Sequence, residues 1–384
     1  MDDTTRRRFL QTAGATGVVL AAGPALAGEP ATGQGQTGGA ASGAKTTLAL
    51  VGCAHIHVPG FANQLAARPD VRVKWAWDPD PARVAKWGGV VKARTAASVG
   101  DILADPEVKG VVVLSETIRH RELVEAAAKA KKHLFVEKPL GVTGAESRAM
   151  ADAIEKAGVL FTTGYFMRTD PKILFLRDQV AKGAFGRITR AAAWNCHGGS
   201  LGGWFDEKPG DVADTWRWMA DPKVAGVGGF GDLGTHSLDI LMWLLGPVRS
   251  VSAEVRVVTG RYGDCDETGT AMLRMNDDVV ATLVAGWVDV ENPVTLQIAG
   301  TEGHAVVFRD QLLFASKKAL GSSLAEPVKG LPAGPKEPLQ QWLDAVGGAA
   351  GQPLVTPREA AARVAAMEAA YASARSGRWQ DVAA

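Results

Sequence analysis

The stretch Leu48-Ala49-Leu50-Val51-Gly52-Cys53-Ala54-His55-Ile56-His57-Val58-Pro59 decides the fold. A short apolar run without alternation suits a strand buried on both faces, and the glycine that ends it suits a tight turn into a helix. A chain that turns this way presents backbone N–H groups and a helix N-terminus to an anionic ligand such as a pyrophosphate. Only Gly52 matches the G-x-G-x-x-G fingerprint, because Ala54 and His57 occupy the second and third glycine places.

Outward from this stretch the same alternation repeats. Apolar runs at Val73–Trp77, Val111–Leu114, Leu134–Val136 and Val159–Thr162 are separated by helix-like segments at about 59–68, 81–87, 119–131 and 143–157. Buried strands alternating with helices predict a parallel, doubly wound Rossmann sheet over residues 46–163. Asp78 closes the second strand 26 residues after Gly52, near the spacing of the acid that bonds an adenosine ribose, although Asp-Pro-Asp-Pro is also an ordinary turn. No Arg or Lys sits directly beside Asp78 to take a 2′-phosphate, so NAD is expected over NADP.

Beyond Gly164 the pattern changes. A helix near 171–182, a strand Ile188–Trp194 and a long Gly- and Trp-rich loop lead to a helix near 231–245. Runs at about 250–259, 268–275, 278–288, 294–299 and 303–308 with short turns predict a large, open, mainly antiparallel sheet, and helices at about 336–347 and 357–375 close the chain. Residues 164–384 therefore read as an α+β domain for substrate binding and oligomerisation, whose last helices can pack back on the first domain. An open sheet face of this kind predicts a homodimer or homotetramer.

Two further segments carry chemistry. Glu137-Lys138-Pro139 follows the Leu134–Val136 run, and a lysine at the C-terminal end of a buried strand lies where open α/β sheets bind ligands. In Gly231-Asp232-Leu233-Gly234-Thr235-His236, the carboxylate and the imidazole stand at i and i+4, neighbours on one helical face. Such a carboxylate can orient the ring and raise its basicity. With Gly52, these segments resemble the glucose-fructose oxidoreductase, inositol dehydrogenase and rhizopine-catabolism family, Gfo/Idh/MocA. Supporting matches are His120, Met167-Arg168, Gly183 to Gly186, Trp216-Arg217 and Ala370-Tyr371-Ala372-Ser373-Ala374, whereas Ser115-Glu116-Thr117 replaces the family's T-P-N turn.

The resemblance implies an NAD-dependent oxidoreductase acting on a secondary hydroxyl of a sugar or polyol. Lys138, His236 and Asp232 would be catalytic: His236 the general acid/base, Lys138 contacting cofactor ribose and substrate hydroxyl and able to share or take the proton role, Asp232 positioning substrate or His236, with the choice of proton carrier left open by the sequence. Gly52, Ala54, His55, Ile56, Asp78, Ser115, Glu116, His120, Glu137 and Lys138 would hold the cofactor, and Tyr165, Arg168, Trp216, Asp232 and His236 would line the substrate cleft. His55 and His57 form no metal site on this reading, since no third ligand has a fixed spacing to them. Trp204, Phe205 and His197 in the long loop offer aromatic faces to a sugar ring or fill the core. A glycoside hydrolase working by transient sugar oxidation, and a non-catalytic nucleotide-binding protein, are the competing classes.

Composition and the N-terminus complete the picture. The 384 residues carry 42 Lys+Arg against 41 Asp+Glu, and removal of residues 1–27 makes the two equal. Such a neutral chain has no electrostatic footprint for nucleic acid or anionic membrane. Three scattered cysteines make no disulfide framework. Thr5-Arg6-Arg7-Arg8-Phe9-Leu10-Gln11, an uncharged stretch from Thr12 to Ala22 and Ala25-Leu26-Ala27 read as a twin-arginine signal peptide over 1–27, followed by a flexible linker over 28–45. That signal implies a periplasmic or exported protein with no other membrane partner and a tightly held cofactor loaded before export.

Overall fold

The structure, a computed structural model, describes residues 45–207 and 215–383. The predicted signal peptide and nearly all of the linker lie outside the described residues. Among those described, no helix is long and apolar enough to cross a membrane.

The first sheet has strands β1 (Thr46–Val51), β2 (Val71–Trp77), β3 (Arg94–Thr95), β4 (Gly110–Val113), β5 (His133–Val136) and β6 (Phe161–Thr163) in the order β3-β2-β1-β4-β5-β6. Every neighbouring pair is parallel. This is the doubly wound arrangement, with its switch point between β1 and β4, where the crossover helices leave in opposite directions. The helices of this half are α1 (Val58–Ala66), α2 (Pro81–Val90), α3 (Val99–Ala104), α4 (His120–Lys129) and α5 (Gly144–Ala157). Leu48, Leu50 and Val112 face one apolar layer and Ala49, Val111 and Val113 the other, which is why their strands are apolar without alternation.

After α6 (Pro171–Ala181) comes β7 (Ile188–Cys196), then α7 (Gly229–Leu245), and strands β8 (Val248–Arg256), β9 (Thr268–Met275), β10 (Val280–Gly286), β11 (Val294–Gly300), β12 (Gly303–Phe308), β13 (Gln311–Ser316), β14 (Ser322–Pro327) and, at the chain end, β15 (Gln380–Asp381). They form one nine-stranded sheet ordered β14-β13-β12-β11-β7-β10-β9-β8-β15. Its pairs are antiparallel except β7 with β10, which run parallel because the chain crosses through α7, β8 and β9 before returning beside β7. The sheet is therefore mixed, and longer than the sequence predicts: β13 and β14 continue it, and β14 lies mostly exposed at its edge without an apolar alternation to mark it. Nearly every residue of α7 is buried, as expected of a helix apolar all round and packed on more than one side.

The last two helices, α8 (Pro338–Val346) and α9 (Pro357–Ser376), return to the first domain. Trp342 of α8 is fully buried against Phe135 of β5, ring centroids 6.2 Å apart. Helix α9 starts with a capping box, Thr356 and Glu359 satisfying each other's backbone N–H, and contacts α5, α7 and β8.

Gly52 carries the turn that the whole nucleotide half is built around. Its φ is +82°, and a Cβ there would stand 2.5 Å from the backbone nitrogen of Ser115 at the end of β4. Both the conformation and the approach demand glycine. Gly52→Ala is expected to destabilise the protein by about 1–3 kcal/mol. Chemical denaturation checks this, and a variant as stable as the wild type would show the turn to be permissive.

Candidate active site

The C-terminal ends of β1, β2, β4 and β5 converge on one edge of the first sheet. There Gly52 N donates to Trp77 O (2.7 Å), and Cys53 N donates to Asp78 Oδ2 (2.6 Å). Asp78 Oδ1 accepts from Asp80 N (2.8 Å), so both carboxylate oxygens are tied to backbone and the residue is buried. Burial raises the Asp78 carboxyl against these hydrogen bonds, which lower it. The N–H groups of Ala54 and His55 both donate to Leu114 O (3.0 and 3.1 Å) and are thus turned toward β4. A loop lacking the second and third glycines is held here by the strand end, and Ile56 and His57 lead into α1.

His55, His57 and Glu137 form a compact polar group. His57 N donates to His55 Nδ1 (3.2 Å), His57 Nδ1 donates to Glu137 Oε1, and Glu137 Oε2 accepts from Lys138 N (2.7 Å). The third ligand that spacing did not supply is therefore Glu137: one ligand atom from each of the three residues lies within 4.8 Å of the others. In the structure those atoms are spent on one another. Burial and the neighbouring His57 and Lys138 hold His55 well below the ordinary histidine range, leaving a neutral ring. His120 is buried as well, and its Nδ1 donates to Pro139 O (3.1 Å) and Leu140 O (3.2 Å), bracing the loop that follows Lys138.

Lys138 joins the two domains. Its Nζ donates to Asp232 Oδ1 at 2.7 Å, and Lys138 is 2 % and Asp232 8 % exposed. Asp232 stands in the first turn of α7, and its Oδ2 accepts from Trp287 Nε1 (3.1 Å). Burial would raise this carboxyl, but the Lys138 cation and its hydrogen bond outweigh it and hold the group at about 2. One helical turn on, His236 is buried; desolvation and the Lys138 charge push it well below the ordinary histidine range, so the ring is neutral. Tyr165 and Phe166 enclose it, with ring centroids 6.0 and 5.0 Å away, and Tyr165 Oη shares a hydrogen bond with Thr235 Oγ1 (3.0 Å).

The parallel pairing of β7 with β10 adds Trp287, which sequence reasoning missed, and sets it beside His197. Cys196 is opposite Gly286, so His197 and Trp287 follow side by side. Asn195 bonds to Leu233 O of α7 and Trp287 to Asp232, and strand alternation turns His197 to the same face. His197 Nδ1 accepts from Gly199 N (3.0 Å), and the ring lies against Trp204, centroids 4.5 Å apart. Trp218 was also missed: its Nε1 donates to Ala54 O (3.0 Å), tying the second domain to the first turn. No local spacing reveals Trp287 or Trp218, since each bonds to a residue more than fifty positions away.

Two sequence expectations are corrected. Arg168 does not serve the cleft: its Nε and Nη2 donate to Asp239 (2.8 and 2.6 Å), its Nη1 pairs with Glu359 (2.9 Å), and its guanidinium covers Trp243. It staples α7 to α9, together with Arg363, which also bonds Asp239 (2.8 Å). Trp216 belongs to the core of the second domain, in the same buried cluster as Phe205 and Met219.

Of the expected residues, Glu116 Oε2, His120 Nε2 and His236 Nδ1 are buried polar atoms without a hydrogen-bond partner among the described residues, as is Nε of Arg83, which sequence reasoning did not single out. They run from the β2 and β4 ends, past the loop after β5, to α7. Unmet buried donors and acceptors on the switch-point edge fit a polar cofactor.

The model of the oxidoreductase family with an NAD-binding Rossmann fold matches residues 46–165, and that of the GFO/IDH/MocA C-terminal domain matches 173–306. The chain belongs to the GFO/IDH/MocA family. It is 30% identical over 248 residues to a levoglucosan dehydrogenase of Pseudarthrobacter phenanthrenivorans, covering 57% of this chain and 61% of that one. It is 29% identical over 265 residues to a myo-inositol dehydrogenase of Streptomyces leeuwenhoekii, covering 67% and 75%. A levoglucosan dehydrogenase in complex with NADH and levoglucosan superposes with a TM-score of 0.72 at 22% identity, over 88% of this chain and 100% of that one. An aldose-aldose oxidoreductase from Caulobacter crescentus does so with a TM-score of 0.72 at 21%, over 88% and 99%. These superpositions show the fold.

Arg168→Leu leaves Asp239 facing Arg363 alone and is expected to cost about 1–3 kcal/mol of stability while substrate KM stays within about twofold. Thermal melting and steady-state kinetics check this; a raised KM at unchanged stability would return Arg168 to the cleft.

Proposed function

We propose that the protein is an NAD-dependent oxidoreductase that interconverts a secondary hydroxyl of a sugar or polyol and the corresponding ketone. The observation that carries it is the Lys138–Asp232 pair closing the junction of the two domains, with neutral His236 one turn further on. Likeness to sugar and inositol dehydrogenases over about half or more of the chain supports the substrate class.

NAD supplies the acceptor or donor of hydride when bound. Gly52 and the turns after β2 and β4 would hold its adenosine half, and Glu137, Lys138 and His120 would hold its reactive end. The chain's own residues manage the proton. His236 is neutral and its Nδ1 has no hydrogen-bond partner among the described residues, so it can take the hydroxyl proton as the ketone forms and return it in reduction. Lys138 can donate to the same oxygen, and Asp232, held ionised, aims its ammonium. Trp287 fixes the other Asp232 oxygen. The ring pair of His197 and Trp204 offers a flat face for a sugar at the same strand ends.

Two finer features belong to this proposal. Export by the twin-arginine route rests on the Arg6-Arg7-Arg8 segment, and an enzyme working where free nicotinamide nucleotide is scarce would retain its cofactor and restore it on site. Assembly into a homodimer or homotetramer is supported by Met272, Val280 and Phe308, large apolar side chains exposed on the nine-stranded sheet.

Lys138→Ala is expected to abolish turnover and, by leaving the buried Asp232 carboxylate without its cation, to cost about 3–5 kcal/mol. Lys138→Met with Asp232→Asn should recover stability without activity. His236→Ala should slow turnover by roughly 10²–10⁴. Turnover of candidate sugars followed by reduced-nicotinamide absorbance checks these, and unchanged rates in both Lys138→Ala and His236→Ala would refute the site.

Since His236 must be neutral to accept a proton and its folded value lies below the ordinary 6.5, kcat/KM for oxidation should stay level as pH falls through 6.5 and decline only at lower pH. A decline centred at or above 6.5 would remove His236 from that role.

A further inference from the structure

We propose that the Arg83–Glu116 pair, rather than Asp78 alone, sets this chain's choice between NAD and NADP, with Glu116 occupying the guanidinium edge on which a 2′-phosphate would dock. The inference deepens the cofactor reading and rests on it.

Arg83 lies in the first turn of α2, five residues beyond Asp78, too far along the chain for a motif to couple them. The helix brings its guanidinium back over the end of β2, where Nη1 stands 3.8 Å from Asp78 Oδ1 and donates to Glu116 Oε1 at 2.7 Å. Glu116 comes from the turn after β4, on the far side of β1 from Asp78. The pair thus spans the mouth of the Gly52 turn, the place where the sheet's switch point puts an adenosine ribose.

The Asp78 carboxylate is in no position to decide alone. Its side chain is fully buried, and both oxygens accept backbone N–H groups. The groups left to meet a ribose are Arg83 and Glu116, and among the described residues each keeps one buried atom without a hydrogen bond, Arg83 Nε, which stands 4.0 Å from Asp80 Oδ2, and Glu116 Oε2. A hydroxyl of an NAD ribose can donate to Glu116 Oε2. A 2′-phosphate would face that same carboxylate and an arginine already neutralised by it. Guanidinium binds carboxylate and phosphate through the same forked geometry, so Glu116 competes directly with the phosphate for Arg83. Ser115-Glu116-Thr117 places an acid in this turn.

The test is binding of NADH and of NADPH, each titrated by tryptophan-to-nicotinamide energy transfer and by calorimetry, to the full mature chain freed of nucleotide. Wild type is expected to favour NADH. Glu116→Gln should raise NADPH affinity relative to NADH by about tenfold or more, since the charge that opposes the phosphate and strengthens the ribose hydrogen bond is removed with shape retained. Adding Arg83→Met should cancel the gain. The single variant keeps Arg83 beside Asp78, and an unchanged melting temperature confirms its fold. An unchanged NADPH-to-NADH ratio in Glu116→Gln with NADH binding intact would overturn the proposal, as would a gain that survives Arg83→Met. Wild type binding neither nucleotide would overturn the cofactor reading instead, and the wild-type titration alone tells the two failures apart.

Discussion

The buried ion pair between Lys138 and Asp232 is the contact on which the site depends. Neither partner is tolerable without the other: a carboxylate and an ammonium removed from water cost several kcal/mol each unless paired and hydrogen-bonded. The pair therefore holds the end of β5 against the start of α7, and so fixes the distance between the nucleotide half and the second domain. Trp287, from the end of β10, completes the hydrogen bonding of Asp232. A single electrostatic requirement thus orders residues from three distant parts of the chain.

The same charge tunes its neighbours. Lys138 lies close enough to lower both His55 and His236, adding to desolvation. Two neutral imidazoles stand around one paired cation, and each becomes a cation only when it takes up a proton. Asp232 balances this by staying ionised at about 2.

A second buried network does the mechanical work. Asp239, near the middle of α7, receives both Arg168 and Arg363, and Glu359 of the α9 capping box reaches Arg168. Through it the last long helix is tied to the helix bearing Asp232 and His236. The catalytic helix is consequently held at its N-terminal end by Lys138 and further along by arginines, with apolar packing between.

How far the sequence alone carries depends on the range of the interaction. The parallel sheet is legible because a strand buried on both faces must be apolar throughout, and Gly52, Glu137-Lys138 and Asp232 with His236 are legible because a turn, a strand end and an i, i+4 pair are local geometry. Long-range pairing is not local. That β7 runs parallel to β10, bringing His197 and Trp287 to Asp232, is set by register across ninety residues, which no motif encodes. Arg168 looked suited to a cleft by its position after β6, yet a buried carboxylate on another helix claims it, since burial cost outranks proximity. Likewise the chain shows an acid at Asp78 and another at Glu116, but only the folded sheet places Arg83 between them, because helix α2 returns across the strand ends that the linear sequence keeps apart.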